Sequence, residues 1–104
     1  MTLSQKDRKQ FRTIGHHLKP VLTLGDAGLS DGILEELEGR LEDHELIKVK
    51  VHANNREDRD ALVSELCAES GSELVPRTGH VALIYRPAAE RKPKLSNLVR
   101  FQNL

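Results

Sequence analysis

Gly25 and Gly28 enclose two residues in the run Val21-Leu22-Thr23-Leu24-Gly25-Asp26-Ala27-Gly28-Leu29-Ser30, where a short apolar stretch passes into the start of an amphipathic one. Without Cβ atoms, glycines at that spacing reach positive φ and let bare N–H groups come close to a polyanion. A helix opening at Ser30 adds a partial positive charge and unsatisfied donors at the same place. Loops of this kind clamp the sugar–phosphate backbone of single-stranded RNA. They also serve as ordinary strand-to-helix turns, and four residues do not separate the two uses.

Charge supplies a second feature. Lys and Arg together number 16, as do Asp and Glu, so the net charge is zero. The distribution is uneven. Residues 1–20 carry Lys6, Arg8, Lys9, Arg12 and Lys19 against Asp7, and residues 77–104 carry six basic residues against Glu90. The acidic residues collect between them. Charge separated along the chain becomes charge separated by face if the fold permits, and a basic face steers toward phosphates. The other reading is two solvated ends.

Residues able to carry catalysis or bind metal show no such grouping. His16 and His17 are adjacent and point apart on a helix, while His44, His52 and His80 are scattered. Cys67 is the sole cysteine and sits among Leu62, Val63 and Leu66, the setting of a packed, unreactive thiol. A sole cysteine cannot form an internal disulfide, which favours a reducing compartment. The carboxylates fall on polar helix faces, and no phosphate-loop motif occurs. No catalytic residue, metal site or cofactor is expected. The first residues lack a signal peptide's apolar core, and no apolar run could span a bilayer. A cytoplasmic monomer without membrane contact is the simplest reading.

With 104 residues, 38% hydrophobic and 31% charged, the chain suits one small soluble domain. Residues 3–17 show a helical apolar stripe of Leu3, Phe11, Ile14 and Leu18, with Lys6, Lys9 and Arg12 grouped elsewhere, and Thr2 with Gln5 suggests a capping box. Pro20 closes that helix, and Val21–Leu24 reads as a short strand. A second helix starts at Ser30, burying Ile33, Leu34, Leu37 and Leu41 and turning Glu35, Glu36, Glu38 and Glu42 to water. Residues 46–52 alternate Ile47, Val49 and Val51 with Lys48, Lys50 and His52, marking a strand with one basic face. A third helix spans about 56–70 and stops at Gly71. Strands at 73–77 and 81–86 form a hairpin through Thr78-Gly79-His80, with Pro76 assigning the first to an edge. The order α-β-α-β-α-β-β predicts an α/β fold with a mixed four-stranded sheet. Residues 1–87 are expected to form the domain, and 88–104 a flexible basic tail.

Leu18-Lys19-Pro20-Val21, the loop from Leu24 to Ser30, Glu45-Leu46-Ile47-Lys48-Val49-Lys50, and Gly79 with Ile84-Tyr85-Arg86 occur in an order and at intervals that closely resemble the CRM domain (chloroplast RNA splicing and ribosome maturation) in its single-domain bacterial, YhbY-like form. The resemblance covers about residues 3–87. It implies RNA binding, a fold similar to the C-terminal domain of translation initiation factor three, and association with precursors of the large ribosomal subunit, hence a role in ribosome assembly. Carried over by position, the RNA surface comprises Gly25, Asp26, Ala27 and Gly28 with basic support from the first helix. Lys6, Lys9, Arg12, Lys19, Arg77 and Arg86 complete the assigned set. The first variable loop position is often lysine in this family and is Asp26 here. A carboxylate beside phosphate is unfavourable, whereas an aspartate can hydrogen-bond the loop backbone and fix its shape. Phe11, Tyr85 and Phe101 are the only aromatic rings, and Phe11 and Tyr85 occupy core-like positions, so backbone and shape should count for more than base stacking. The rival reading is a protein-interaction module that docks a basic ribosomal protein through the acidic helices.

Overall fold

A computed structural model describes residues 3–25 and 27–104. Its elements, in chain order, are α1 (Gln5–Gly15), β1 (Pro20–Leu24), α2 (Asp31–His44), β2 (Leu46–Val51), α3 (Arg56–Ser70), β3 (Glu73–Thr78), β4 (Val81–Tyr85) and α4 (Asn97–Arg100). The expected capping box involves Thr2, outside the described residues. Ser4 caps α1 instead, its Oγ accepting from the Asp7 N–H at 3.0 Å. Ser30 Oγ accepts from Ile33 N–H, and Asn55 Oδ1 from Asp58 N–H, so each of the three long helices starts on a side-chain cap. Gly71 at φ +65° ends α3 in the left-handed conformation.

The four strands form one mixed sheet in the order β1-β2-β4-β3. β1 and β2 run parallel across the α2 crossover, while β4 is antiparallel to both neighbours. β3 is an edge strand, and its register shifts between Leu74 and Arg77, where Pro76 has no N–H for the ladder.

The alternation in β2 decides what covers each face. Ile47, Val49 and Val51 join Leu22, Leu24, Leu37, Leu41, Val63 and Leu66 in the main core under α2 and α3. Leu46 turns the other way, into a smaller cluster with Phe11, Ile14, Val75 and Leu83 beneath α1. Gly15 lets α1 close on the sheet, since a Cβ there would lie 2.7 Å from a Leu83 methyl. An eleven-residue helix is only about 16 Å long. It covers the Leu46 end of that face and leaves Lys48 half-buried and Lys50 exposed. The sheet thus has one closed face and one half-open basic face, as the two lysines required.

The segment after Pro87 departs from expectation: it is anchored rather than loose. Glu42 accepts from the N–H groups of Ala89 and Glu90, and Lys92 pairs with Asp43 at 2.5 Å. Glu45, 1% exposed and at φ +62°, accepts from Ala88 N–H, Arg91 Nε and Ser96 Oγ at 2.7–2.8 Å. Asn97 Nδ2 donates to the Leu46 carbonyl, and Leu98 and Phe101 pack on the smaller cluster. These anchors are polar and join residues about fifty positions apart, so the segment shows no apolar periodicity of its own.

Candidate nucleic-acid interface

The glycine loop leaves the carboxyl end of β1, fixed by His52 N–H donating to the Leu24 carbonyl at 2.8 Å. Gly28 N–H then closes a turn onto the Gly25 carbonyl at 3.0 Å, with Gly28 at φ +67°. Its amide is therefore used within the loop. Gly28 is needed for the left-handed conformation, which costs an L-residue about 1–2 kcal/mol. Gly25 is different: its φ is not in the left-handed region and, as at Gly28, a Cβ there would meet nothing within 4 Å, so what glycine gives there is an open approach to the backbone. Ala27 is exposed at the tip, and Asp26 lies outside the described residues.

Two hollows differ in their electrostatics. Between the loop and α3 is one of about 470 Å³ whose walls include Asp58 and Glu65, a poor approach for an anion. On the other side, Thr23 of β1 is in register with Lys50, which brings the half-open sheet face up to the loop. Between that face and the end of α1 is a groove of about 380 Å³ with Val81, Leu83 and Pro76 along its floor and Arg12, His16 and Lys48 at its rim. No described carboxylate lines it. Lys6, Lys9 and Arg12 are all exposed along α1, and none forms an ion pair with a described residue. α1 and the open sheet face thus present five cations with no ion-pair partner among the described residues, Lys6, Lys9, Arg12, Lys48 and Lys50, of which Arg12 and Lys48 meet at the groove. The alternation in β2 had signalled Lys48 and Lys50, which the expected RNA surface omitted.

Other assigned residues do not join this region. Arg77 is held by Asp60 at 2.5 Å and by the Gly79 carbonyl, tying the hairpin to α3. Arg86 is held by Glu38 at 2.5 Å and the Ser70 carbonyl at 3.0 Å, tying β4 to α2 and α3. Both are half-buried, with their charge satisfied internally. Lys19 is exposed at the end of β1 away from the loop. Arg8 of the basic first segment is structural: its guanidinium binds the carbonyls of Leu74 and Val75 and the Glu73 carboxylate at 2.7–3.0 Å, fastening α1 to β3.

Tyr85 packs against Phe11 with ring centroids 4.9 Å apart, and burial pushes its hydroxyl pKa up. It is a packing residue rather than a stacking platform. Burial likewise pushes the Cys67 thiol up, away from the reactive thiolate. Among the described residues no three His, Cys, Asp or Glu side chains converge as metal ligands, and no helix is long and apolar enough to cross a membrane.

Residues 3–86 match the CRS1 / YhbY (CRM) domain family. The chain is 52% identical over the full length of both proteins to the Pseudomonas aeruginosa protein named Probable RNA-binding protein PA4753. It is 40% identical to a Haemophilus influenzae protein named RNA-binding protein, across 90% of this chain and 95% of that one. The solution structure of Staphylococcus aureus SAV1595 superposes with a TM-score of 0.75 at 33% identity, covering 88% of this chain and 95% of that one. With a matching sequence family, full-length relatives and a shared three-dimensional fold, the chain belongs to the CRS1 / YhbY (CRM) domain family.

Proposed function

We propose that the protein binds RNA through α1, the half-open sheet face and the glycine loop, and that its RNA is ribosomal RNA in precursors of the large subunit, making it a ribosome assembly factor. The observation that carries the RNA reading is that Lys6, Lys9 and Arg12 on α1 and Lys48 and Lys50 on the half-open sheet face have no ion-pair partner among the described residues, with Lys50 in register with Thr23, two residues before Gly25. The names of the relatives support it. The assembly role rests on the family resemblance. Cations in this arrangement neutralise successive phosphates and release counterions, binding backbone with little regard for base identity. The acidic faces of α2 and α3, where Glu35, Glu36, Glu65 and Glu69 are exposed, favour a second contact: they repel RNA and suit a basic ribosomal protein.

A small acylating reagent tests the face directly. Lys48 and Lys50 should both label in the free protein, Lys50 faster, and RNA should protect both. Equal labelling with and without RNA would remove the sheet face from the interface. Co-sedimentation with precursor large subunits at low salt tests the assembly role; failure to appear in those fractions would count against it. The loop is tested by separating its two glycines. Gly28→Ala should cost about 1 kcal/mol of stability through its φ, whereas Gly25→Asp should leave the melting temperature unchanged and weaken RNA binding roughly tenfold, the cost of a carboxylate beside phosphate. Unaltered binding by Gly25→Asp would show that the loop is only a turn.

A further inference from the structure

A third hollow, of about 250 Å³, lies against the α1–β1 turn. Four side chains capable of positive charge line it from three elements: His17 and Lys19 from the turn, His44 from the end of α2, and Arg100 from α4. No described carboxylate is among its walls, and the adjacent Asp43 is held by Lys92 at 2.5 Å. Two of the four are held in place by hydrogen bonds. Arg100 Nη1 donates to Asn97 Oδ1 at 3.1 Å, and Asn97 is itself anchored on the Leu46 carbonyl. His44 Nδ1 lies 2.9 Å from the Leu95 carbonyl, which requires a proton on Nδ1. Phe101 provides a wall, with the Arg100 guanidinium 5.4 Å from its ring centre and the His17 ring at 6.2 Å and 22° to it.

The Lys19 ammonium and the Arg100 guanidinium lose energy by converging on one hollow unless something negative sits there. Polar anchoring of Arg100 and His44 makes the hollow a receptor for an oxyanion rather than a chance grouping. We propose that this hollow is a second phosphate subsite, taking a backbone phosphate of the same RNA where the strand passes over the α1–β1 turn. The proposal rests on the RNA reading above. Arg100 and Phe101 lie beyond residues 3–86, so the subsite is an addition made by the anchored C-terminal segment to the shared domain. That gives the docking of α4 a function: Ser96 and Asn97 place Arg100.

The test uses the full-length protein with a single-stranded RNA oligonucleotide, and separately with inorganic phosphate. Arg100→Ala and Lys19→Ala remove exposed side chains, so both variants should fold. Each should weaken RNA binding roughly fivefold near 0.1 M salt and lower the slope of log affinity against log salt by about 0.7, the share of one phosphate on a single strand. RNA should shift the ring NMR signals of His17 and His44 in the wild type and less so in Arg100→Ala. Unchanged affinity and slope in both variants, with lowered melting temperature, would overturn the subsite and leave the cations as complements to the carboxyl ends of α1 and α2. Ring signals that respond to inorganic phosphate but not to RNA would mark a free-phosphate site, overturning the RNA assignment. Loss of RNA binding is measured separately on Lys6, Lys9 and Arg12, so the main interface can fail or hold independently of this one.

Discussion

Alanine in place of Lys6, Lys9 and Arg12 together is expected to weaken RNA binding roughly 100-fold near 0.1 M salt, each phosphate contact on a single strand contributing about 0.7 to the salt slope and about 0.7 log unit at that concentration. The slope itself should fall by about 2, and the loss should be similar for unrelated sequences, because phosphates carry no base information. The fold should be unaffected. All three side chains are exposed and none forms an ion pair with a described residue, and the fastening of α1 to β3 is done by Arg8. Surface changes of this kind stay within about 0.5 kcal/mol. Lys6 even sits near the positive end of α1, where a cation is mildly unfavourable. Retaining charge with Lys6→Arg and Lys9→Arg on an otherwise wild-type chain should keep the slope. A triple variant that binds with wild-type slope would reduce α1 to a solvated helix and shift the interface to Lys48, Lys50 and the loop.

Why the exposure of the α1 cations was legible in the sequence while the pairing of other basic residues was not follows from the range of the signals. Helix α3 was legible to the residue, because Asn55 before it and Gly71 after it state its ends locally. The lysines of β2 were legible as facing away from the core, since strand alternation is a two-residue property. A free arginine and a tied one, by contrast, look identical in sequence. Arg8, Arg77 and Arg86 each find carboxylates 65, 17 and 48 positions away, so only the fold distinguishes them from Arg12. The C-terminal segment was illegible for the same reason. Its stability comes from α2 carboxylates that sequence periodicity had placed on a wet face, and Glu42 is one of them. The cost of that blindness falls on function as well, since the hollow beside the α1–β1 turn takes Asn97, Arg100 and Phe101 as walls only because α4 is docked.

Glu45 is where the docking is most vulnerable. Burial on its own would raise its pKa, yet the Ala88 N–H, the Ser96 hydroxyl and the Arg91 guanidinium outweigh burial and hold the carboxyl below the ordinary glutamate range. Glu45→Ala leaves the buried Ser96 hydroxyl and the Ala88 amide without their acceptor, and an unmet buried donor costs about 1–3 kcal/mol. The expected destabilisation is about 3 kcal/mol, or a fall in melting temperature on the order of 15 °C for a domain of this size. Glu45→Gly should recover about 1 kcal/mol of that, because φ +62° suits glycine and strains any other residue. A depressed folded-state pKa also fixes the sign of the pH dependence. The contribution is fully present above the unfolded value near 4.3 and is lost as pH falls through the folded value. Wild type and Glu45→Ala should therefore differ most at neutral pH and converge as the solution is made more acid than about pH 4. Because α4 is released with the anchor, the variant studied well below its melting temperature should also show the RNA defect of Arg100→Ala, while retaining the contacts of α1. Thermal melts across that pH range, paired with a salt titration, decide the matter. A Glu45→Ala protein that melts like wild type at neutral pH would mean that the apolar contacts of Leu98 and Phe101 hold the segment, and the carboxylate merely accompanies them.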